Sequence, residues 1–504
     1  MGKTRIVMRN ALFHVDKGET FTLQAQIREG LVSAVLAGQL SAMESVPSTR
    51  AMARQLGVSR NTVVLSYQAL VEDGFLLARE RSGFYVNPDV LTGLVPSADA
   101  AAPTEDKGKI DWQARLRIHP AGQVNIVKPE DWRDHPYLFI YGQIDHTLFP
   151  ISEWRDCVRQ AMGAKGLDQW TADRFNADDP MLIEQIRTRI LPRRGIAARD
   201  EEILITMGAQ NALYLVSSLL VGANTRVAIE DPGYPDARNM FALRTRHVVP
   251  IPVDENGLLM DERLAACQLA FITPSHHFPT TATLPLSRRK ELLALASANN
   301  LIILEDDYEF EANYVSAPTP ALKSLDKEGR VIYIGSLSKS LVPGVRIGFL
   351  VAPKPLIDQA RALRRLMLRH PPGNNQRAAA LFLAFGHHDA LLGRLHRVYR
   401  ERWRVRGEAL QTHLPFWSRS PTFGGTSYWL EGPPGFDAGE LARRALKQGI
   451  VIEAGDFFFA GRNPPRNYFR LGFSAIATDR IAEGVRKLAE IVRSLPSSST
   501  QAAE

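Results

Sequence analysis

From about residue 137 onward, short apolar runs alternate with longer amphipathic stretches: "EILIT", "RVAIED", "LAFITP", "LIILED", "VIYIGS" and "RIGFLVAP". Each run is too short for a helix and apolar on both faces, so each reads as a strand buried between layers. Strands interleaved with helices dictate an α/β fold, with a mostly parallel sheet and helices on both of its faces. A core of that kind needs material, and 504 residues at 45% apolar composition supply it.

Open α/β sheets collect ligands beyond the carboxyl ends of their strands. Those ends are unusually rich here. "GSLSKSLVPGVRIGF", Gly335 to Phe349, sets Lys339 among Ser336, Ser338 and Arg346 directly after an apolar strand. "LIILEDDYEF" ends in Asp306 with Tyr308 close behind, and "EDPGYPD" presents Tyr234 after a Pro-Gly turn. "TMGAQNALYLV" places Gly208, Ala209 and Gln210 at the start of an amphipathic helix, and "NYFRLGF" puts Arg470 in a strand-like context.

Taken singly, each residue has an ordinary reading as a solvated or core-edge group. Together they meet the needs of lysine Schiff-base chemistry on pyridoxal phosphate. Lys339 supplies the amine. Ser336, Ser338, Arg346 and the amides of Gly208, Ala209 and Gln210 hold the phosphate. Asp306 keeps the pyridine nitrogen protonated, Tyr308 donates to the ring oxygen O3′, and Tyr234 covers the ring face. Arg470 is expected to fork onto a carboxylate or sulfonate of an amino effector.

The first block is different. "PSTRAMARQLGVSRNTVVLSYQALVEDGFLLARERSGFYV", Pro47 to Val86, carries a helix-turn-helix pattern, preceded by an amphipathic helix over 25–37. Met52, Ala53 and Leu56 line one helix face, Gly57 supplies the turn, and Val63, Tyr67 and Leu70 recur at helical spacing. Ser59 or Asn61 suits the N-cap of the second helix. Arg60, Asn61 and Thr62 then stand at its exposed start, where a recognition helix meets DNA. "FLLARERSGFYV" reads as a two-stranded wing turning at Ser82-Gly83, with Arg79 and Arg81 near its tip. A formal net charge of +7 is compatible with nucleic acid as partner.

This block resembles the winged helix-turn-helix domain of the GntR superfamily. The resemblance implies DNA contacts by Ser48, Arg50, Ser59, Arg60, Thr62 and Gly83. Many members carry a basic residue after the Asn-Thr-Val triplet, where this chain has Val64 and Leu65, so base preference does not carry over. The later block resembles the fold-type-I aminotransferases, which implies a smaller C-terminal α+β subdomain and pyridoxal phosphate on Lys339. It departs from their Asn-Pro-Thr-Gly motif: "TPSHHFPTTAT" has Phe278 before Pro279-Thr280, and Thr281 in place of Gly. His276 and His277 read as core or supporting residues, with no metal spacing.

The fusion resembles the MocR-type regulators. That implies a double-stranded operator, an amino effector that displaces Lys339 from the cofactor, and a head-to-tail homodimer. The alternative is a working aminotransferase moving amino groups from an amino acid to a 2-oxo acid. The expected organisation is a DNA-binding domain over 1–87, a linker over 88–136 centred on "SADAAAPTEDKGK", an effector domain over 137–490, and a tail over 491–504. Cys157 and Cys267 sit in no metal spacing and read as reduced thiols. No run approaches a membrane span, and a cytoplasmic protein is expected.

Overall fold

The computed structural model describes residues 13–16, 18, 21–91, 110–164, 167, 171–315, 319–415, 417 and 424–495. The chain divides into two compact units, Met1–Arg115 and Leu116–Glu504. The expected linker centre, 97–109, lies outside the described residues, as does the expected tail beyond 495. Among the described residues no helix is long and apolar enough to cross a membrane.

In the first unit, local side-chain chemistry sets the helix starts. Helix α1 (Leu23–Leu36) begins at Thr22, whose hydroxyl accepts from the Ala25 amide. Helix α2 (Thr49–Leu56) begins at Ser48, which accepts from the Ala51 amide at 3.3 Å. Gly57 then turns the chain in the left-handed region at φ 63°, open to glycine without strain. Helix α3 (Arg60–Glu72) is capped by Ser59, whose hydroxyl accepts from Thr62 N at 3.1 Å. Ile27, Leu31, Met52, Val63, Tyr67 and Leu70 pack into one core.

Strands β1 (Leu76–Arg79) and β2 (Gly83–Val86) form the antiparallel wing. Gly83 is drawn into the ladder opposite Arg79, so the turn falls at 80–82 rather than at Ser82-Gly83. Arg81, at φ 58°, therefore occupies the tip, while Arg79 lies in the strand against the Tyr85 ring.

The second unit opens with β3 (Tyr137–Leu138) and is built on an eight-stranded sheet. Its strands are β4 (Ile203–Thr206), β5 (Val227–Asp231), β6 (Val248–Asp254), β7 (Gly257–Leu258), β8 (Leu269–Ile272), β9 (Ile302–Asp306), β10 (Val331–Ser336) and β11 (Gly348–Val351). The order is β4-β11-β10-β9-β8-β5-β6-β7. The run from β10 through β9, β8 and β5 to β6 is parallel, and β11 runs antiparallel to both its neighbours. Ile303 and Leu304 face opposite layers, as the period of a strand demands.

Helices α4 (Ala209–Leu220), α5 (Pro235–Ala242) and α7 (Lys354–Leu368) cover one face; α6 (Leu286–Ala298) covers the other. Each fully buried Leu or Ile in these layers contributes roughly 1.5–3 kcal/mol. The long helix α8 (His387–His413) packs on the C-terminal helix α9 (Thr478–Ser494), whose Ile491 is buried inside the span expected as tail.

A three-stranded antiparallel sheet forms the smaller C-terminal part. It orders β12 (Ser427–Glu431), β15 (Tyr468–Gly472) and β14 (Glu453–Ala454), while β13 (Ile450–Val451) pairs in parallel with β3. Gly472 is essential to this join. A Cβ there would lie 2.0 Å from the Ile140 carbonyl, and its N–H donates to Phe139 O at 2.9 Å. That close approach delivers Tyr141 against Arg470.

Candidate functional site

Three consecutive acids, Glu305, Asp306 and Asp307, stand at the end of β9 and just past it, and their partners separate their roles. Glu305 accepts from the Leu322 and Lys323 amides, each at 2.8 Å. Asp307 takes Arg194 Nε at 2.6 Å and the Tyr333 hydroxyl at 2.9 Å. Asp306 Oδ1 is buried and has no hydrogen-bond partner. Burial, with Asp307 beside it, raises the Asp306 carboxyl to about pKa 7, against the pull of Lys339. A buried, unmatched carboxylate of this kind fits a cationic ring nitrogen.

Lys339 follows β10. Its amine lies 4.5 Å from the centroid of the Tyr141 ring, and a Cβ at Gly142 would meet Nζ at 2.6 Å. Gly142, at φ 74°, thus leaves the lysine its space. Burial lowers the amine to about pKa 8, while Glu309 pulls it back up. Glu309 is itself pushed up by burial, but His276 and Thr426 hold its net value below the ordinary carboxylate range.

The phosphate-type cradle forms where β4 and β11 meet α4. Gly208 caps α4 at φ 77°, and a Cβ on Gly348 would stand 2.7 Å from the Gly208 carbonyl carbon. Two glycines therefore let the turn close onto the strand. Arg346, in the left-handed region at φ 55°, donates to Met207 O at 3.1 Å beside this turn. Ser336 Oγ accepts the Ser338 amide at 3.2 Å, and Ser338 Oγ is buried without a partner. Amides at a helix start, an arginine and an unsatisfied hydroxyl suit an anion.

The walls are aromatic. Tyr234 meets Phe278 edge-on at 5.3 Å, and its hydroxyl bridges Gln210 at 3.2 Å and Asp236 at 3.0 Å. Tyr308 lies edge-on to Tyr141 at 6.3 Å, and burial with Glu309 nearby raises its hydroxyl well above the ordinary tyrosine range. Thr281, where the resemblance leads one to expect glycine, is β-branched and sits at φ 66°, a backbone conformation that costs such a residue. His277 is driven to about pKa 3 by burial and by His276, and lies near Glu230.

Lys339, Tyr234, Phe278 and Arg470 line one cavity of about 360 Å³. Sequence reasoning missed other members of that wall. Tyr141 and Gly142 had a usable signal, an apolar run broken by glycine in "YLFIYGQ". Glu453 and Lys128 had none. Lys128 lies in the span expected as linker, yet its ammonium donates to the Tyr141 carbonyl at 2.9 Å. In the first unit, Ser48, Arg50, Ser59, Arg60, Asn61, Arg79 and Gly83 are exposed and Thr62 is half-buried.

Residues 23–86 match the family described as bacterial regulatory proteins, gntR family, and residues 171–488 match aminotransferase class I and II. The chain is 43% identical to the HTH-type transcriptional regulator TauR of Rhodobacter capsulatus, over 95% of this chain and 99% of the relative. It is 30% identical to the probable rhizopine catabolism regulatory protein MocR of Rhizobium meliloti, over 96% of each. Among solved structures, it is similar to LysN, the alpha-aminoadipate aminotransferase of Thermus thermophilus, complexed with N-(5'-phosphopyridoxyl)-L-leucine. That likeness has a TM-score of 0.69 at 29% identity and covers 76% of this chain and 99% of the other.

Proposed function

Because this chain belongs to the MocR-type family, in which a GntR helix-turn-helix domain precedes a class I and II aminotransferase domain, we propose that it is a pyridoxal-phosphate-dependent transcriptional regulator that senses an amino compound. The observation that carries this reading is the buried Lys339 amine beside the unpartnered Asp306 carboxylate, in a chain that also bears a helix-turn-helix. Asp306 would hold the ring nitrogen, and Tyr234 and Tyr308 the ring. Ser336, Ser338, Arg346 and the Gly208–Gln210 turn would hold the phosphate. When bound, pyridoxal phosphate supplies an aldehyde that joins amines reversibly and a ring that draws off electrons.

The chain's own residues set the terms of exchange. Burial leaves part of the Lys339 population neutral near neutral pH, so its amine acts as a nucleophile and as a leaving group. Occupancy of the cavity by a small amine is read out at the DNA-binding unit, through a coupling of about 1–3 kcal/mol. A head-to-tail homodimer presents two winged helices to two half-sites, with Ser48, Arg50, Ser59, Arg60, Asn61, Thr62, Arg79 and Gly83 toward the duplex.

The second reading, a dedicated aminotransferase, is favoured by the complete ring-binding set. The two are separated by gel shift with the chain's own upstream region, set against steady-state amino transfer to a 2-oxo acid. The regulator binds that DNA specifically, and an amine changes its affinity. Absence of specific binding, with and without cofactor, overturns the regulator.

A further inference from the structure

Helix α3 buries Val63, Ser66, Tyr67 and Leu70 along one side. At about 3.6 residues per turn, the opposite side carries Asn61, Leu65, Gln68 and Glu72, and all four are exposed. Leu65, in the middle of that line, is 43% exposed. Glu72 and the exposed Asp73 close the line with negative charge, whereas Arg60 opens the helix with positive charge. A polyanion is therefore met between Arg60 and Gln68 and turned away beyond them.

An aliphatic side chain in that stretch has no structural partner. Among the described residues, neither Leu65 nor the half-buried Val64 beside it joins the apolar core of this unit. Leu65 stands one turn after Asn61, and a long helical side chain leans back toward the N-terminus, so it covers the ground next to Asn61. It offers no donor, acceptor or charge, which closes a phosphate contact and a hydrogen bond to a base. What it can distinguish in a major groove is the 5-methyl group of thymine.

We propose that Leu65 reads a thymine methyl in each operator half-site, one or two base pairs from the base that Asn61 meets. That spacing sets a separation of about 5–6 Å between the two Cβ atoms against a rise of about 3.4 Å per base pair. The proposal rests on the regulator reading, since it needs α3 to enter a major groove.

The test uses the cofactor-loaded full chain and the stretch of its own upstream region that it protects, with deoxyuridine in place of one thymine at a time. Deoxyuridine keeps the hydrogen bonds of the pair and removes only the methyl. The wild type should bind about fourfold less tightly when the thymine under Leu65 is replaced, the worth of one buried methyl-sized group. Leu65→Ala should bind the unmodified operator about as weakly, and should be indifferent to that replacement. Any effect of deoxyuridine on duplex shape persists in the variant and drops out of the cycle. Leu65→Lys should also lose the preference, and should bind with a steeper salt dependence because its charge releases further counterions. A wild type indifferent to every thymine, or a preference retained in either variant, overturns the proposal. So does an equal loss of binding to all DNA in Leu65→Ala, which would make the side chain a structural one. If the wild type protects no stretch of its upstream region, the regulator reading fails first and takes this proposal with it.

Discussion

Arg60 and Asn61 stand exposed at the start of α3, whereas Lys339 and Asp306 sit inside the second unit, where burial moves both ionisations toward neutrality. The first arrangement suits a large polyanion that arrives from outside and is met by solvated groups, a guanidinium and an amide. The second suits a small guest that must be handled chemically, with an amine that can lose its proton and a carboxylate that waits for a cation. One chain thus keeps its recognition charges in two dielectric environments. The difference sets how strongly a single substitution is felt in each.

The largest expected effect is Lys339→Ala. After incubation with pyridoxal phosphate and borohydride reduction, mass spectrometry of the wild type should find the cofactor fixed at position 339. The variant should carry none there. Modification of another lysine at comparable yield would break the contrast, because the buried Lys339 amine would then not be special.

Asp306→Asn should come next, and its sign depends on pH. The folded-state pKa is raised, from 3.8 to about 7. The favourable contribution is therefore complete below the unfolded value, near pH 4, and is lost as pH rises toward 7. In the cofactor-free protein, Asp306→Asn should relieve that loss, with a stability gain that grows by on the order of 2 kcal/mol between pH 5 and pH 8. Glu311, raised to about 8 by burial, titrates in the same window and cancels in the difference between variant and wild type; Glu230, also raised to about 8, is pushed up partly by the Asp306 charge, so its change adds to that difference in the same direction. The same substitution should weaken cofactor binding. A pH-independent difference would mean that Asp306 is not the uncommitted member of its acidic triplet.

The two units were also unequally legible in the sequence. The helix-turn-helix is local: Ser48, Gly57 and Ser59 act on residues within one turn, so motif and structure coincide. The cavity is not local. Strand-end residues such as Asp306 and Lys339 could be read, because an apolar strand announces its own end. Glu453 becomes a neighbour of Arg470 only through the register of β14 on β15, and Lys128 reaches Tyr141 only because its segment lies on the second unit. Neither pairing leaves a trace in spacing or composition. The carboxylate that pairs with Arg470 is invisible in the sequence for the same reason, until the strands are paired.

Arg60→Ala should cost roughly 1–3 kcal/mol of operator affinity and relax preference at one base pair if the side chain meets a base edge. Competition against a panel of single-base operator variants reads this directly. A uniform loss across the panel, with a shallower salt dependence, would make Arg60 a phosphate contact. Either result leaves it a solvated recognition charge; no loss at all would remove it from the interface.

The smallest effect tests whether a residue of the exposed unit can serve structure and recognition at once. Ser59 caps α3 and is also expected to face the duplex. Ser59→Ala removes the cap and should destabilise the first unit by about 1 kcal/mol, measurable as an earlier transition in denaturant. Ser59→Asp keeps an oxygen for the Thr62 amide and favours the helix start, so stability should hold. It also places a negative charge where a phosphate is expected, so DNA affinity should fall while folding does not. The paired variants separate the two roles in a way that the buried site does not permit, since there a change of charge alters folding and ligand binding together. If Ser59→Asp binds DNA as well as the wild type, the serine is a cap alone, and the contacts made by α3 begin one residue later, at Arg60.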